Sequence, residues 1–210
     1  MRFSSEHLRL YAVTDRTWLN GRSLAEAVRL SLDGGATMIQ LREKDLPYEA
    51  FKYQALEIQA LCREYSVPFI INDNVNLACD IGADGVHVGQ SDMEAGNVRA
   101  LIGSGKILGV SARTVQEAVT AESRGADYIG AGAVFHTGSK SDAVDITHET
   151  LRQICSAVKI PVVAIGGINA GNILQLAGSG IKGVAVISAV YAAEDITESA
   201  RELRRLAGEL

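Results

Sequence analysis

Short hydrophobic runs alternate along the chain with longer segments in which apolar residues recur at helical spacing. This alternation repeats eight times, and Gly, Asn or Asp stands at the junctions. The predicted strands are residues 8–14, 38–43, 68–73, 85–89, 106–112, 128–135, 161–167 and 183–189. Nearly continuous apolar strands joined by helices are typical of a parallel sheet, because every parallel connection has to cross over the sheet.

The helical segments support this alternation. The clearest ones are SLAEAVRLSLDGG, YEAFKYQALEIQALCREYS, TVQEAVTAESRG and ITESARELRRLAGEL, whereas those after the third and fourth strands are weaker. We therefore predict an α/β protein in which residues 1–210 form a single catalytic (β/α)8 barrel, or TIM barrel. The alternative is an open, doubly wound sheet, but the expected G-x-G-x-x-G fingerprint is missing from YAVTDRTWLNGRS after the first strand.

Composition narrows the class of protein further. The chain is 47% hydrophobic and has a formal net charge of -5, which gives it a core but no overall field that would attract nucleic acid or an acidic membrane surface. Three cysteines without a C-x-x-C pair argue against a disulfide framework or a zinc site. Neither a signal core nor a run of about 18 apolar residues is found. We expect a cytoplasmic protein without nucleic-acid or membrane partners.

Polar residues follow the carboxyl ends of the predicted strands, which is where barrel active sites lie. In the second strand, residues two apart share a face, so Gln40, Arg42 and Lys44 are predicted to point together, with Leu41 and Glu43 on the other face. The other strand ends carry Asp15, Arg16, Asn72, Asp73, Gln90, Asp92, Ser111, Gly167 and Ser188. The opposite ends are mostly Gly, Pro, Ala and Lys turns. This asymmetry favours a catalytic barrel.

Three cations at this rim predict an anion site. Lys140 joins Arg42 and Lys44, and its loop FHTGSK combines hydroxyls, a glycine and a lysine, as phosphate-binding loops do. Gly167 permits close approach of main-chain N–H groups to a phosphate, at the usual barrel phosphate site. The alternatives are ion pairing of the strand cations with neighbours such as Glu43, and a simple tight turn at the glycine.

Two carboxylates predict a magnesium site. Asp73 and Asp92 end adjacent strands next to these cations, and Mg2+ is commonly held by one or two carboxylates together with substrate phosphates. Taken singly, Asp73 could form an Asx turn and Asp92 could cap a helix.

The histidines give no clear catalytic base. His87 lies in the fourth strand and is expected to be a hydrogen-bonded interior residue, and His136 is expected to face solvent. No Ser, Cys or Lys has the base and orienting group that a nucleophile needs, so nucleophilic catalysis is not predicted.

Six motifs resemble the thiamine phosphate synthase family. In chain order they are QLREKD, IINDNVNLA, GADGVHVGQSDM, GVSART, GADYIGAGAVFHTGSK and VVAIGGI. The resemblance implies a Mg2+-dependent transferase of thiamine biosynthesis that joins hydroxymethylpyrimidine diphosphate to hydroxyethylthiazole phosphate and releases pyrophosphate. Its partners would be these small molecules, and the resemblance leaves a homo-oligomer open.

The resemblance also implies roles for individual residues. The residues implied to bind the pyrimidine diphosphate are Gln40, Leu41, Arg42, Glu43, Lys44, Asn72, Ser111 and Lys140. The thiazole phosphate site comprises Thr137, Gly138, Ser139, Gly167, Ile187 and Ser188. The Mg2+ ligands would be Asp73 and Asp92, and the residues expected to be catalytic are Arg42, Lys44, Ser111 and Lys140. The family pattern T-x-T-K reads Thr137-Gly138-Ser139-Lys140 here, and His136 stands where the family usually has proline.

The implied mechanism needs no side-chain nucleophile. Loss of pyrophosphate would leave a cation that is delocalised into the aminopyrimidine ring, so the protein has to stabilise the leaving group and position the thiazole nitrogen. The loop 136–145 is the candidate lid against water.

Two alternatives to the synthase are compatible with the same barrel. A thiazole tautomerase-like relative typically lacks the metal aspartates and the second-strand lysine, and has a histidine where this chain has Ala133. A non-catalytic phosphate-ligand sensor on the same barrel would be expected to lose the aspartate pair first. Both aspartates and the lysine are present, which favours the synthase.

Overall fold

Eight parallel strands form a closed barrel in the computed structural model, which describes residues 3–90, 98–137 and 145–210. The strands are β1 (Leu10–Val13), β2 (Met38–Leu41), β3 (Phe69–Asn72), β4 (Gly85–Val88), β5 (Ile107–Ala112), β6 (Tyr128–Gly132), β7 (Val162–Ile165) and β8 (Val184–Val186). Each strand pairs with the next one in sequence, and β8 pairs with β1 through the Leu10–Val184 register. The predicted (β/α)8 fold is confirmed.

Helices connect the strands. Over the described ranges they are α1 (Leu24–Asp33), α2 (Tyr48–Glu64), α3 (Val75–Asp80), α4 (Val98–Ile102), α5 (Val115–Ser123), α6 (His148–Ala157), α7 (Ser188–Tyr191) and α8 (Ile196–Leu206). Short 3-10 turns cover Ser5–Leu8, Arg16–Trp18, Ile173–Leu176 and Ala207–Glu209. The connection after β7 thus contains one 3-10 turn. No helix within the described residues has the length and apolar character needed to cross a membrane.

Side-chain caps fix where several helices begin. The hydroxyl of Ser23 accepts a hydrogen bond from the N–H of Glu26 at the start of α1. At α5, Thr114 and Glu117 bond each other's main-chain N–H groups in a reciprocal capping box. These contacts satisfy N–H groups that lack an intrahelical partner, so each helix starts at a defined residue after its strand.

Seven of the eight strands end earlier than the hydrophobic pattern predicts, whereas β5 ends at Ala112 as predicted. β2 ends at Leu41, two residues before the predicted limit, and β6 ends at Gly132, three residues before it. Residues beyond these ends leave the ladder: the N–H of Arg42 bonds the side chain of Thr14 instead of a neighbouring strand. The carboxyl ends of the strands therefore pass directly into the loops that surround the barrel mouth.

Two hydrophobic layers follow from the alternation of side chains along each strand. Ile70 points into the barrel with Met38, whereas Phe69 and Ile71 pack outward against the helices, and all four are fully buried. Leu41 belongs to the outer layer and is fully buried too. The barrel is thus a packed core, and ligands have access only at its ends.

The amino-terminal end of the barrel, here called the base, is fastened by a repeated contact. Just before three even-numbered strands, a side-chain oxygen accepts a hydrogen bond from the N–H of a residue near the start of the preceding strand. The pairs are Thr37 Oγ1 with Leu10 N (2.8 Å), Asp84 Oδ2 with Phe69 N (2.9 Å) and Asp127 Oδ2 with Leu108 N (2.8 Å). The polar residues of the base are therefore tied to the main chain of the barrel itself.

Candidate active site

Thr14 joins β1 to β2 where both strands reach the mouth. Its N–H donates to the carbonyl of Gln40 at 2.9 Å, and its hydroxyl accepts from the N–H of Arg42 at 3.0 Å. Thr14 is buried, with 1% of its surface exposed. This contact fixes the main chain of the polar segment as it leaves the sheet.

Arg42 is held at the mouth by a long ion pair. Its Nη1 lies 3.5 Å from Asp15 Oδ2, and the two side chains are 12% and 15% exposed. Asp15 Oδ1 accepts from the N–H of Thr17 at 2.9 Å and so orients this carboxylate. A single contact of this length leaves most of the five guanidinium donors for other acceptors.

Arg16, and not Arg42 or Lys44, pairs with Glu43. The Nε of Arg16 donates to both carboxylate oxygens of Glu43, at 2.8 and 2.9 Å, and the Glu43 side chain is only 5% exposed. Within the described residues, exposed Lys44 has no carboxylate within 4 Å. The alternative in which neighbouring carboxylates neutralise the strand cations is therefore not what the structure has for Lys44.

Gln40 faces the barrel interior, as the strand pattern predicts. It is 4% exposed, and its Nε2 donates to the hydroxyl of Tyr11 at 2.6 Å. Leu41 points the other way, into the layer between the strands and the helices. Only the main chain of Leu41 therefore lies where it could contact a molecule at the mouth.

His87 and Ser111 meet on the opposite side of the interior. The Nε2 of His87 lies 3.0 Å from Ser111 Oγ, and its Nδ1 lies 3.0 Å from the hydroxyl of Tyr128. The hydroxyls of Tyr128 and Tyr11 are 2.8 Å apart. The expectation that His87 is a hydrogen-bonded interior residue is confirmed.

Two buried tyrosines, Tyr11 and Tyr128, have polar roles that the sequence pattern does not indicate. The sequence predicts Tyr11 as a packing residue and places Tyr128 at the start of a strand, yet both hydroxyls form hydrogen bonds inside the barrel. Burial raises the pKa of both phenols well above their ordinary value, so both keep their protons. The usable signal was the glycines of β5 and β6, which leave room for large interior side chains.

Asn72 and Asp73 end β3 at the mouth. Asn72 Nδ2 donates to Asp73 Oδ2 at 2.6 Å, and the N–H of Asp73 donates to the carbonyl of His87 at 2.8 Å. Asp73 is exposed and has a φ of 60°, a left-handed conformation that Asp and Asn tolerate better than other side chains. Helix capping falls to Asn74, whose side chain accepts from the N–H of Leu77.

The loops after β7 and β8 reach the same end of the barrel. Gly166 and Gly167 have φ values of 103° and 64°, and a side chain on Gly167 would collide with Phe135 and with the carbonyl of His136. A tight loop crossing thus requires glycine here, whether or not a phosphate binds. Ile187 and Ser188 follow β8 and are half-buried.

Several predicted site residues lie outside the described residues. They are Asp92 among the metal ligands, and Gly138, Ser139 and Lys140 among the substrate contacts. Thr137 is described and half-buried. His136, whose side chain is 95% exposed as expected, has Nδ1 3.7 Å from Asp145 Oδ2. Over residues 3–90, 98–137 and 145–210, no three His, Cys, Asp or Glu side chains are grouped as metal ligands.

The chain is similar to known proteins over most of its length. The family model described as thiamine monophosphate synthase matches residues 10–190. The thiamine-phosphate synthases of Ruminiclostridium cellulolyticum and Clostridium tetani are 50% and 46% identical over 194 residues, which is 92% of this chain and 92% and 93% of theirs. A solved thiamine phosphate pyrophosphorylase from Pyrococcus furiosus superposes with a TM-score of 0.90 at 42% identity and covers 98% of both chains. The chain therefore belongs to the thiamine monophosphate synthase family.

Proposed function

We propose how the mouth of this barrel carries out thiamine phosphate synthesis, the activity of the family to which the chain belongs. The reaction transfers hydroxymethylpyrimidine from its diphosphate to the ring nitrogen of hydroxyethylthiazole phosphate and releases pyrophosphate. The observation that carries the proposal is the placement of two side chains at the end of β2. The amide of Gln40 points into the barrel interior, and the guanidinium of Arg42, just beyond the strand, lies at the mouth. An uncharged heterocycle can enter the interior while its diphosphate stays among the cations.

The pyrimidine ring is assigned to the interior end of the site. Gln40 and Ser111 flank the opening, from β2 and β5, and offer hydrogen bonds to a heterocycle. Arg42 and Lys44 would contact the diphosphate, and Lys140 is the third cation of this proposal. Guanidinium suits this role because its planar array of donors matches two phosphoryl oxygens at once.

Asp73 would hold Mg2+ together with Asp92, which we place in the same role from the family resemblance. The donor chemistry fits: Asp73 is an exposed carboxylate, and Asn72 bonds one of its oxygens from a fixed position at the strand end. When bound, the ion would screen the charge that develops on the departing pyrophosphate.

The residues of the chain then have two tasks. Arg42, Lys44 and Lys140 stabilise the diphosphate as its bond to the pyrimidine methylene breaks, and the positive charge spreads into the aminopyrimidine ring. The thiazole phosphate, held near Gly167 and Ser188, keeps the thiazole nitrogen close to that methylene, which it attacks. The cation is consumed by this bond, so no enzyme nucleophile is required.

Replacing Arg42 tests the proposal. We expect Arg42→Gln to lower kcat/KM for the pyrimidine diphosphate by about 100-fold, because a charge-assisted contact to the leaving group is lost. The measurement is thiamine phosphate formation from both substrates, with Mg2+ and with EDTA.

Arg29→Gln is the matched control. Arg29 is an exposed arginine of α1 that pairs with Glu64 on the outer surface. Equal activity of the Arg42 and Arg29 variants would show that Arg42 does not bind the diphosphate. Full activity in EDTA would show that the reaction does not need Mg2+.

A further inference from the structure

A continuous chain of polar side chains crosses the barrel beneath the mouth. It runs through Gln40, Tyr11, Tyr128, His87 and Ser111, on β2, β1, β6, β4 and β5. The successive distances are 2.6 Å (Gln40 Nε2 to Tyr11 Oη), 2.8 Å (Tyr11 Oη to Tyr128 Oη), 3.0 Å (Tyr128 Oη to His87 Nδ1) and 3.0 Å (His87 Nε2 to Ser111 Oγ). Its two ends are the residues that the proposed function gives to the pyrimidine, and the three middle residues have no role there.

The hydrogen bond from Gln40 determines which hydroxyl donates and which accepts in the bonds of the two tyrosines. The amide nitrogen of Gln40 can only donate, so Tyr11 Oη accepts this bond. Among the described residues, Tyr128 is the other hydrogen-bond partner of Tyr11 Oη, and it therefore receives the Tyr11 proton. Tyr128 then donates its own proton to the Nδ1 of His87.

The bond that His87 accepts from Tyr128 in turn makes His87 the donor to Ser111. A neutral imidazole that accepts at Nδ1 carries its proton on Nε2, and this proton is donated to Ser111 Oγ. The hydroxyl hydrogen of Ser111 is then left to donate towards the mouth. At the other end, Gln40 presents its amide oxygen, which is an acceptor.

Two strand glycines make room for this chain. A Cβ on Gly109 would overlap the phenol of Tyr128 and lie 2.5 Å from His87 Nδ1, and a Cβ on Gly130 would lie 3.0 Å from His87 Cε1. Neither glycine has a positive φ, so backbone conformation does not require them. The rings are also enclosed, since Tyr11 and Tyr128 are 1% and 0% exposed. The arrangement is a built feature of the interior.

We propose that Tyr11, Tyr128 and His87 are positioning residues that set the hydrogen-bond polarity of Gln40 and Ser111 together, as an acceptor and a donor. Running the chain in reverse would exchange donor and acceptor at both ends at once. An aminopyrimidine carries an amino donor and ring-nitrogen acceptors, so the direction found turns its amino group towards Gln40 and a ring nitrogen towards Ser111, and the reverse direction would turn the ring over. This inference rests on the proposed assignment of Gln40 and Ser111 to the pyrimidine.

The tautomer of His87 tests the direction without any substrate. The full-length enzyme is labelled with 15N-histidine, and long-range 1H–15N correlations report which ring nitrogen carries the proton. The chain has four histidines, and single replacements of His7, His136 and His148 by Gln identify His87 by elimination, even where a His87 variant does not fold. We expect a neutral ring protonated at Nε2. A ring protonated at Nδ1, or at both nitrogens, would overturn the proposal.

Kinetics of Tyr128→Phe test the consequence for the site. The change removes one hydroxyl and keeps the ring, so we expect KM for the pyrimidine diphosphate to rise about tenfold, with KM for the thiazole phosphate unchanged. Tyr191→Phe is the matched control, because Tyr191 is equally buried but its hydroxyl lies 3.3 Å from Ser31, outside the barrel interior.

The outcomes separate this inference from the proposed function. If Tyr128→Phe and Tyr191→Phe have the same two KM values, the positioning role is refuted. If the wild-type enzyme forms no thiamine phosphate, the proposed function fails, while the His87 tautomer still decides the direction of the chain. A tautomer as expected, with unequal KM values in the two tyrosine variants, supports both.

Discussion

Thr37 at the base and Thr14 at the mouth link the same two strands by the same kind of contact, with different consequences. The N–H of Thr37 donates to the carbonyl of Leu10, and its hydroxyl accepts from the N–H of Leu10, both at 2.8 Å. Thr14 makes the corresponding bonds to the carbonyl of Gln40 and the N–H of Arg42. At the base the contact ties one strand to the next, whereas at the mouth it positions residues of the proposed site.

The arginines of the two ends differ in the same way. Arg99 at the base lies 2.6 Å from Asp127 and donates to the carbonyls of Gly103, Lys106 and Gly125. Arg42 at the mouth has one 3.5 Å ion pair with Asp15 among the described residues. The donors of Arg99 are used up by the fold, and those of Arg42 are available to a ligand.

This contrast has an energetic meaning. Polar groups that bond the main chain of the barrel stabilise it, because leaving a buried N–H without an acceptor costs free energy. Polar groups of the proposed site make fewer such bonds, and one of them, Asp73, has a left-handed φ of 60°, so they are expected to contribute little to folding. Mutations should therefore separate activity from stability according to the end of the barrel.

Asp73→Asn should give the largest effect, and it should be on activity. We expect kcat/KM to fall by about 100-fold or more, since an amide is a poorer ligand for Mg2+ than a carboxylate. Asn tolerates the left-handed conformation of Asp73, so the melting temperature should stay unchanged. The measurement is pyrophosphate release over a range of Mg2+ concentrations, and higher Mg2+ should restore part of the rate.

Asp45→Asn is the control for this change. Asp45 is an exposed carboxylate in the loop after β2, and its replacement alters the net charge at the mouth by the same amount. Equal loss of activity in both variants would mean that general electrostatics, and not a metal ligand, explains the role of Asp73.

Asp127→Ala should have the next largest effect, on stability. The change removes the acceptor of the Leu108 N–H and the partner of Arg99, and we expect the free energy of unfolding to fall by about 2 kcal/mol. The Asp127–Arg99 ion pair is partly exposed and adds little to this value. Urea denaturation measures the loss, and kcat/KM per folded molecule should change less than twofold. A large loss of kcat/KM would contradict the division in which residues of the base affect stability and residues of the mouth affect activity.

The sequence predicted the barrel but not the details of its base. Eight strands were predicted because their apolar runs are nearly continuous, a signal that needs no knowledge of tertiary contacts. The base was expected to consist of Gly, Pro, Ala and Lys turns, yet Thr37, Asp84 and Asp127 bond neighbouring strands there. Such bonds depend on strand register, which the pattern does not give. The repeated Gly-Ala-Thr or Gly-Ala-Asp before these strands is the feature of the sequence that marks these contacts.

For the candidate site too, the sequence predicts what strand periodicity determines and does not predict the contacts made by loops. The inward direction of Gln40 follows from the two-residue period of a strand, and the structure confirms it. The period fails after Leu41, where β2 ends, so it could not show that Asp15 would pair with Arg42 and Arg16 with Glu43. Those partners come from the loop after β1, and only the folded barrel brings the two segments together.

Replacing the two threonines by valine should give the smallest effects and the sharpest comparison. Valine keeps the shape of threonine and removes one hydroxyl, so Thr37→Val should lower the free energy of unfolding by about 1 kcal/mol and leave kcat/KM unchanged. Thr14→Val should cost a similar free energy, but it also frees the main chain of Arg42, and we expect KM for the pyrimidine diphosphate to rise about threefold. Urea denaturation gives the free energy of unfolding of each variant, and steady-state kinetics give its KM for the pyrimidine diphosphate. If KM rises equally in both, strand linkage alone governs the site, and the mouth has no positioning device separate from the one that holds the base together.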